Sequence, residues 1–124
     1  MIVGIGIDIV DLRRFADALA GNGFSERVFS PAELKTAPQQ ATPARNLEYF
    51  AGRFAAKEAL AKALGAPGGL NWKAAELFSR ASGCPEFALS SSVKARADLL
   101  GTKNVLVSIT HDAGVAAAVV VLEG

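Results

Sequence analysis

Residues 2–8, Ile-Val-Gly-Ile-Gly-Ile-Asp, combine a strand-forming pattern with glycine at alternate positions. β-Branched residues favour extended backbone, and side chains two apart share one face of a strand. Gly4 and Gly6 therefore leave a face bare, which points to another backbone or a ligand lying close against it. The far end of the chain carries a complementary constraint. Val115 to Leu122 is apolar throughout, and a strand of that kind is expected to be buried on both faces. In a chain of only 124 residues, part of that burial is expected to be an oligomer interface. The run is also far short of the ~20 residues that cross a bilayer.

Between these strands the pattern is mixed. Asp11 can cap a helix in which Leu12, Phe15, Ala16 and Leu19 fall at helical spacing, with Gly21 and Gly23 ending it. Ser30-Pro31-Ala32-Glu33 has the capping-box pattern with proline at the first helical position, predicting a short helix to about Ala37. Pro38 to Pro43 reads as a loop. Thr42-Pro43 then opens the main helix, which runs to Leu64 and stops at Gly65. Ala56, Leu60, Ala63 and Leu64 share its buried stripe, while Glu58 and Lys62 sit together on a different face. Ala75 to Arg80 and Glu86 to Leu89 flank Ser82-Gly83-Cys84-Pro85 as a hairpin. Ser91 to Leu100 reads as a helix ended by Gly101. Asn104 to Thr110 and Val115 to Leu122 read as strands joined by His111-Asp112-Ala113-Gly114. No repeat, low-complexity tract or linker divides residues 1–124, so one domain is expected. The fold class is α+β, with an antiparallel sheet packed around one long helix.

Composition narrows the function classes. Lys+Arg is 13 and Asp+Glu 12, a net charge of +1, which supplies no basic field for gripping a nucleic acid. One cysteine and one histidine exclude a Cys/His zinc site, so any metal would be a hard cation held by carboxylates. Met1-Ile2-Val3-Gly4 lacks the basic start and small-residue cleavage site of a signal peptide. With the lone Cys84, that reads as a cytoplasmic protein without a membrane segment.

Three places can carry chemistry. Asp8 ends the first predicted strand, where a buried carboxylate needs a partner or a metal; the plain alternative is that Asp8 or Asp11 caps the following helix. Glu58 lies mid-helix, either as a surface pair with Lys62 or, with Asp8, as half of a magnesium site. Arg45, Arg53 and Lys62 on the same helix would then neutralise phosphates. His111-Asp112 is either a turn or a phosphate donor and proton carrier. Gly4-x-Gly6 lacks the third glycine of a dinucleotide fingerprint. Trp72 reads as an anchor at a sheet edge, Cys84 as incidental in a turn far from these groups, and Arg13 and Arg14 as exposed and able to receive an acidic partner.

Gly4-Ile5-Gly6-Ile7-Asp8-Ile9-Val10-Asp11 and, further on, Arg53-Phe54-Ala55-Ala56-Lys57-Glu58-Ala59 resemble two segments of the bacterial holo-[acyl-carrier-protein] synthases. These are small 4′-phosphopantetheinyl transferases, and the resemblance covers essentially the whole chain, through Val107-Ser108-Ile109-Thr110-His111 and the final apolar strand. It implies their fold, and transfer of the phosphopantetheine arm of coenzyme A to a serine of an apo acyl carrier protein. Asp8 and Glu58 match the family's Mg²⁺ ligands, with Mn²⁺ a possible substitute. Asp8, Glu58 and Lys62 would form the catalytic group, with Glu58 or a metal-held water accepting the serine proton. Arg45, Arg53, Lys62, Ser108 and His111 would bind coenzyme A, and Asp112 would play a minor catalytic part.

The resemblance also implies a homotrimer with each active site in a cleft between two subunits. Arg13 and Arg14 match the basic start of the helix that receives the carrier's acidic recognition helix. The stretch from Asp17 to Arg27 departs from that pattern by carrying few positive charges, so steering would rest partly on Arg27 and Lys35. A contrasting possibility is a non-catalytic trimer that binds coenzyme A-like ligands or a partner helix at its clefts. The paired carboxylates of Asp8 and Glu58 separate the two, since a plain binding cleft has no use for them.

Overall fold

The structure is a computed structural model that describes residues 1–38 and 41–124. In chain order the elements are β1 (Ile2–Asp11), α1 (Leu12–Ala20), α2 (Phe24–Val28), α3 (Pro31–Lys35) and α4 (Pro43–Ala63). A 3₁₀ turn (Trp72–Ala74) leads to β2 (Ala75–Ser79) and β3 (Pro85–Leu89), followed by α5 (Ser91–Leu99), β4 (Asn104–Asp112) and β5 (Val115–Glu123). The strands form two antiparallel sheets, one of three strands in the order β1-β5-β4 and one from β2 and β3. Part of the expected Pro38–Pro43 loop, residues 39–40, lies outside the described residues.

The bare face of β1 meets a helix backbone. A Cβ on Gly4 would lie 2.3 Å from the carbonyl oxygen of Ala63, and one on Gly6 only 1.8 Å from that of Ala59. No side chain fits there, so the two glycines let strand and helix touch main chain to main chain. The helix contributes small residues to the same contact. Ala51, Ala55, Ala56, Ala59 and Ala63 are buried on α4, and Ala116 and Ala118 face them from β5 together with Val120 and Leu122. α4 runs for 21 residues, opened by Thr42, whose hydroxyl accepts from the Arg45 amide, and by Pro43.

Several boundaries move. β1 continues three residues past Asp8, so Asp8 sits inside the strand rather than at its end, and Asp11 is the cap of α1, accepting from the amides of Arg13 and Arg14. The capping box at Ser30 is present, but α3 ends at Lys35. β4 extends through His111 and Asp112, which pair with Ala116 and Val115. The turn is only Ala113-Gly114, both at positive φ (52° and 79°), the geometry of a tight two-residue hairpin. On β5 the burial alternates. Ala116, Ala118, Val120 and Leu122 are in the core, whereas Val115, Ala117, Val119 and Val121 are only half-buried within one chain.

A polar hub lies beneath α4. Lys57 is fully buried and donates to Glu33 Oε1 at 2.8 Å and to the carbonyls of Trp72 and Ala75 at 2.9 Å each. Glu33 also accepts from the amides of Ser30 and Leu77, so one ion pair ties α3, α4 and β2 together. Burial pushes the Lys57 ammonium below its ordinary value, against the opposing pull of the Glu33 carboxylate. Removing one member of such a pair typically costs about 3–5 kcal/mol.

Gly6→Ala is expected to destabilise the protein by about 3 kcal/mol or more, because the methyl has to displace helix backbone rather than a side chain. Gly68→Ala, where an added Cβ meets nothing within 4 Å, should be near neutral. Chemical denaturation of the two variants checks the contrast.

Candidate functional site

Gly4, Gly6 and Asp8 share one face of β1, so the contact that presses the glycines onto α4 also brings the Asp8 carboxylate to the helix. Its Oδ1 accepts from Lys62 Nζ at 3.1 Å, and the same ammonium donates to the Ile7 carbonyl at 2.9 Å. Asp8 is mostly buried, with 17% of its side chain exposed. Glu58 is half-buried beside it, and its carboxyl is pushed above the usual carboxylate value by burial, then by the charge of Asp8, with Lys62 opposing. Lys62 therefore bonds across to β1 rather than to Glu58, its neighbour one turn away.

Asp8, Asp11, Arg14 and Glu58 line a cleft of about 410 Å³ whose other wall is aromatic. Phe15, Phe24 and Phe54 form a triangle with ring centroids 5.5–5.8 Å apart. Phe54 and Glu58 lie four apart on α4, so the helix presents the apolar wall and the carboxylate side by side. Arg13 and Arg14 are both exposed at the start of α1, and only Arg14 reaches this cleft.

A second cleft of about 330 Å³ opens on the other side of α4, lined by Arg45, Glu48, Tyr49, Arg53, Ser79, Ile109 and His111, among others. Gly52 makes it possible, since a Cβ there would lie 2.8 Å from Ile109 Cγ2. β4 thus packs down on the helix and carries His111 to it. His111 Nδ1 is paired with Glu48 Oε2. Arg53 is buried, donates through Nη2 to Ser79 Oγ at 3.1 Å and stacks on the Tyr49 ring. Arg45, near the helix start, stays exposed at the rim.

Six of the predicted residues thus fall at one or other cleft along α4: Asp8, Arg14, Glu58, Arg45, Arg53 and His111. Lys62 joins the first through Asp8. Ser108 does not join them. Alternation along β4 turns Leu106, Ser108 and Thr110 to the exposed face of the sheet, away from half-buried Val107 and Ile109. Asp112 keeps a local part, its carboxylate accepting from the Ala113 amide at 2.9 Å. His111 is a strand residue, not a turn-former. Cys84 is exposed, and its neighbours Gly83 and Pro85 line the second cleft, so its turn lies close to Arg53. Glu48, Tyr49, Ser79 and the Phe24–Phe54 wall escape a reading of the sequence, since aromatic residues at helical spacing look like ordinary core. The signal for Glu48 and Tyr49 is their spacing of three and four residues from Arg45, with Tyr49 also four from Arg53.

Asp8 and Glu58 are close enough for one charge to raise the other's pKa, and Lys62, half-exposed, bonds to Asp8. Among the described residues no group of three or more histidine, cysteine or acidic side chains is placed to hold a metal ion by itself. Two oxygen donors suit a hard cation that keeps several waters and takes its remaining ligands from a phosphate, so the residues fit Mg²⁺.

The family model of the 4′-phosphopantetheinyl transferase superfamily matches residues 4–120. The chain belongs to that superfamily. A holo-[acyl-carrier-protein] synthase of Streptomyces griseus is 50% identical over the full length of both chains. Among solved members of the superfamily, the holo-[acyl-carrier-protein] synthase of Neisseria meningitidis superposes with a TM-score of 0.85 at 35% identity, covering 100% of each chain. The Helicobacter pylori enzyme, solved in complex with coenzyme A, gives a TM-score of 0.80 at 33% identity, covering 96% of this chain and 99% of that one.

Asp8→Asn should lower the pKa of Glu58 while leaving it above the ordinary carboxylate value, because the neighbouring charge is lost and the burial stays. A ¹³C NMR titration of the Glu58 carboxyl measures this, and an unchanged midpoint would mean that the two side chains do not face each other.

Proposed function

We propose that the chain transfers the 4′-phosphopantetheine arm of coenzyme A to a serine hydroxyl of an apo acyl carrier protein, releasing adenosine 3′,5′-bisphosphate. The observation that carries this is the meeting of Asp8, Glu58 and Lys62 where β1 crosses α4, with a cation-lined cleft further along the same helix. Relatives named for this reaction, similar over the full chain, support it.

In this reading the arginines of the second cleft, Arg45 and Arg53, together with His111, hold the phosphorylated nucleotide end of coenzyme A. Lys62 swings from Asp8 to the pyrophosphate. Asp8 and Glu58 would hold Mg²⁺, or Mn²⁺ in its place, and that ion would supply charge to offset the leaving phosphate. The carrier serine enters the aromatic cleft, where Glu58 accepts its proton as the oxygen bonds to the phosphorus bearing the pantetheine. The bond from that phosphorus to the bridging oxygen breaks, and adenosine 3′,5′-bisphosphate leaves. Arg14, with Arg13 behind it, receives the acidic face of the carrier.

The chain is proposed to act as one domain within a homotrimer. Ile5, Ile7 and Ile9 stand about two-thirds exposed, at 65%, 68% and 65%, and Leu106 is 53% exposed on the same sheet. An apolar sheet face of this kind is what another copy covers. Ser108, on that face, then belongs to the cleft of a neighbouring subunit. Among the described residues no helix is long and apolar enough to cross a membrane, and the proposed site of action is the cytoplasm.

Incubation with coenzyme A and apo acyl carrier protein is expected to add the mass of one phosphopantetheine in Mg²⁺ and none in EDTA. Asp8→Asn and Glu58→Gln should each lower kcat by about 10²–10⁴-fold with little change in melting temperature. A gain that survives EDTA would remove the metal from this reading, and no gain with several carriers would leave a coenzyme A-binding module. Arg14→Glu should raise KM for the carrier more than KM for coenzyme A; steady-state kinetics with each substrate varied in turn checks the docking assignment.

A further inference from the structure

Arg53 is held in an unusual way for a buried cation. It is 9% exposed, yet among the described residues no carboxylate lies within ion-pair distance of it. Its Nη2 donates to the neutral hydroxyl of Ser79 at 3.1 Å. Its Nε is buried without a hydrogen-bond partner. The flat face of the guanidinium rests on Tyr49, with Cζ 3.8 Å from the ring centroid. Tyr49 is fixed in turn: its hydroxyl bonds Thr36 Oγ1 at 3.0 Å and reaches the Glu33 carbonyl at 3.4 Å, and its ring meets Phe50 edge-on.

A guanidinium taken out of water needs its charge answered. Here the protein supplies a ring face and a hydroxyl, both neutral; with Nε buried, the terminal Nη donors are what remain for something that enters the cleft. A guanidinium held over a ring at 3.8 Å and bonded at one corner loses much of its rotational freedom, which favours one orientation before any ligand arrives. That is the geometry for bidentate capture of a phosphate. An arginine without the ring would have to be ordered on binding, and ordering a long side chain weakens affinity.

We propose that Tyr49 is a positioning residue for Arg53. Its ring holds the guanidinium flat, and Ser79 holds one corner, so that Arg53 is pre-oriented for a phosphate of coenzyme A. The inference rests on the assignment of Arg53 to coenzyme A binding. Tyr49 acts on binding and not on the reacting phosphorus, so its loss affects KM for coenzyme A while kcat at saturation and KM for the carrier stay as they are.

The test is calorimetric binding of coenzyme A to Tyr49→Leu, Tyr49→Phe, Ser79→Ala and Arg53→Gln, with melting temperatures and steady-state kinetics for each. Tyr49→Leu should weaken binding about tenfold, and Tyr49→Phe, which keeps the ring face, should stay within about twofold of the parent protein. Ser79→Ala should weaken binding in the same direction. In an Arg53→Gln background, Tyr49→Leu should have no further effect. Tyr49→Met, which fills the space without a π face, carries the same test if Tyr49→Leu folds poorly. Equal weakening by Tyr49→Leu in both backgrounds, or a parallel rise in KM for the carrier, would make Tyr49 a purely structural residue and overturn the proposal. An unchanged affinity in Tyr49→Leu alongside a weakened Arg53→Gln overturns it while leaving Arg53 in its assigned place. An unchanged affinity in Arg53→Gln overturns that assignment and this inference together.

Discussion

The contact of two glycines with a helix backbone organises this molecule. Where most strand–helix packings are separated by side chains, β1 and α4 meet through Gly4, Gly6 and the carbonyls of Ala63 and Ala59. The alanines of α4 and β5 continue the theme, keeping main chains close across the core. Closeness sets the reach of every side chain nearby. Asp8, next on the glycine face, is short, and it meets Lys62 and the field of Glu58 only because the strand lies directly on the helix.

The same logic explains what the sequence made legible. A glycine at alternate strand positions announces a close neighbour whatever the rest of the fold does, and Asp11, Ser30 and Thr42 announce helix starts through local hydrogen bonds alone. Burial of Ala56, Leu60, Ala63 and Leu64 follows from helical period. The family resemblance, resting on the Asp8 and Glu58 segments, placed the chain in its superfamily. What stayed hidden depends on contacts between distant residues. Lys57 reads as one more surface lysine beside Glu58, and only the fold reveals that Glu33 and two carbonyls receive it in the interior. His111 looks like a turn residue because Asp112-Ala113-Gly114 looks like a turn, whereas positive φ at two residues is enough to close the hairpin. Gly52, Glu48 and Tyr49 matter through β4 and Arg53, which no local pattern specifies.

The charges on α4 are sorted by side. Lys57 points into the protein and is answered there by Glu33, whereas Glu58, the next residue, turns to the first cleft and is left with Asp8's charge nearby. Arg53, one turn earlier, is buried with no acidic partner among the described residues. One stretch of helix thus carries both a structural ion pair and groups whose electrostatics are incomplete within the chain. The incomplete ones are the groups assigned here to coenzyme A and its metal.

One rigid rod therefore carries both ends of the proposed binding site. Arg45 and Lys62 are separated along α4 by a rise of about 1.5 Å per residue, and the two clefts open on different sides of the helix. The helix is in effect a ruler on which nucleotide contacts and pyrophosphate contacts are marked at fixed intervals and fixed angles. A residue gained or lost between Arg53 and Glu58 would rotate one set of marks by about 100° relative to the other, although both motifs would still be present in the sequence. The spacing inside α4 is thus as much a part of the site as the residues themselves, and loops at either end of the helix are where the chain can change length without disturbing it.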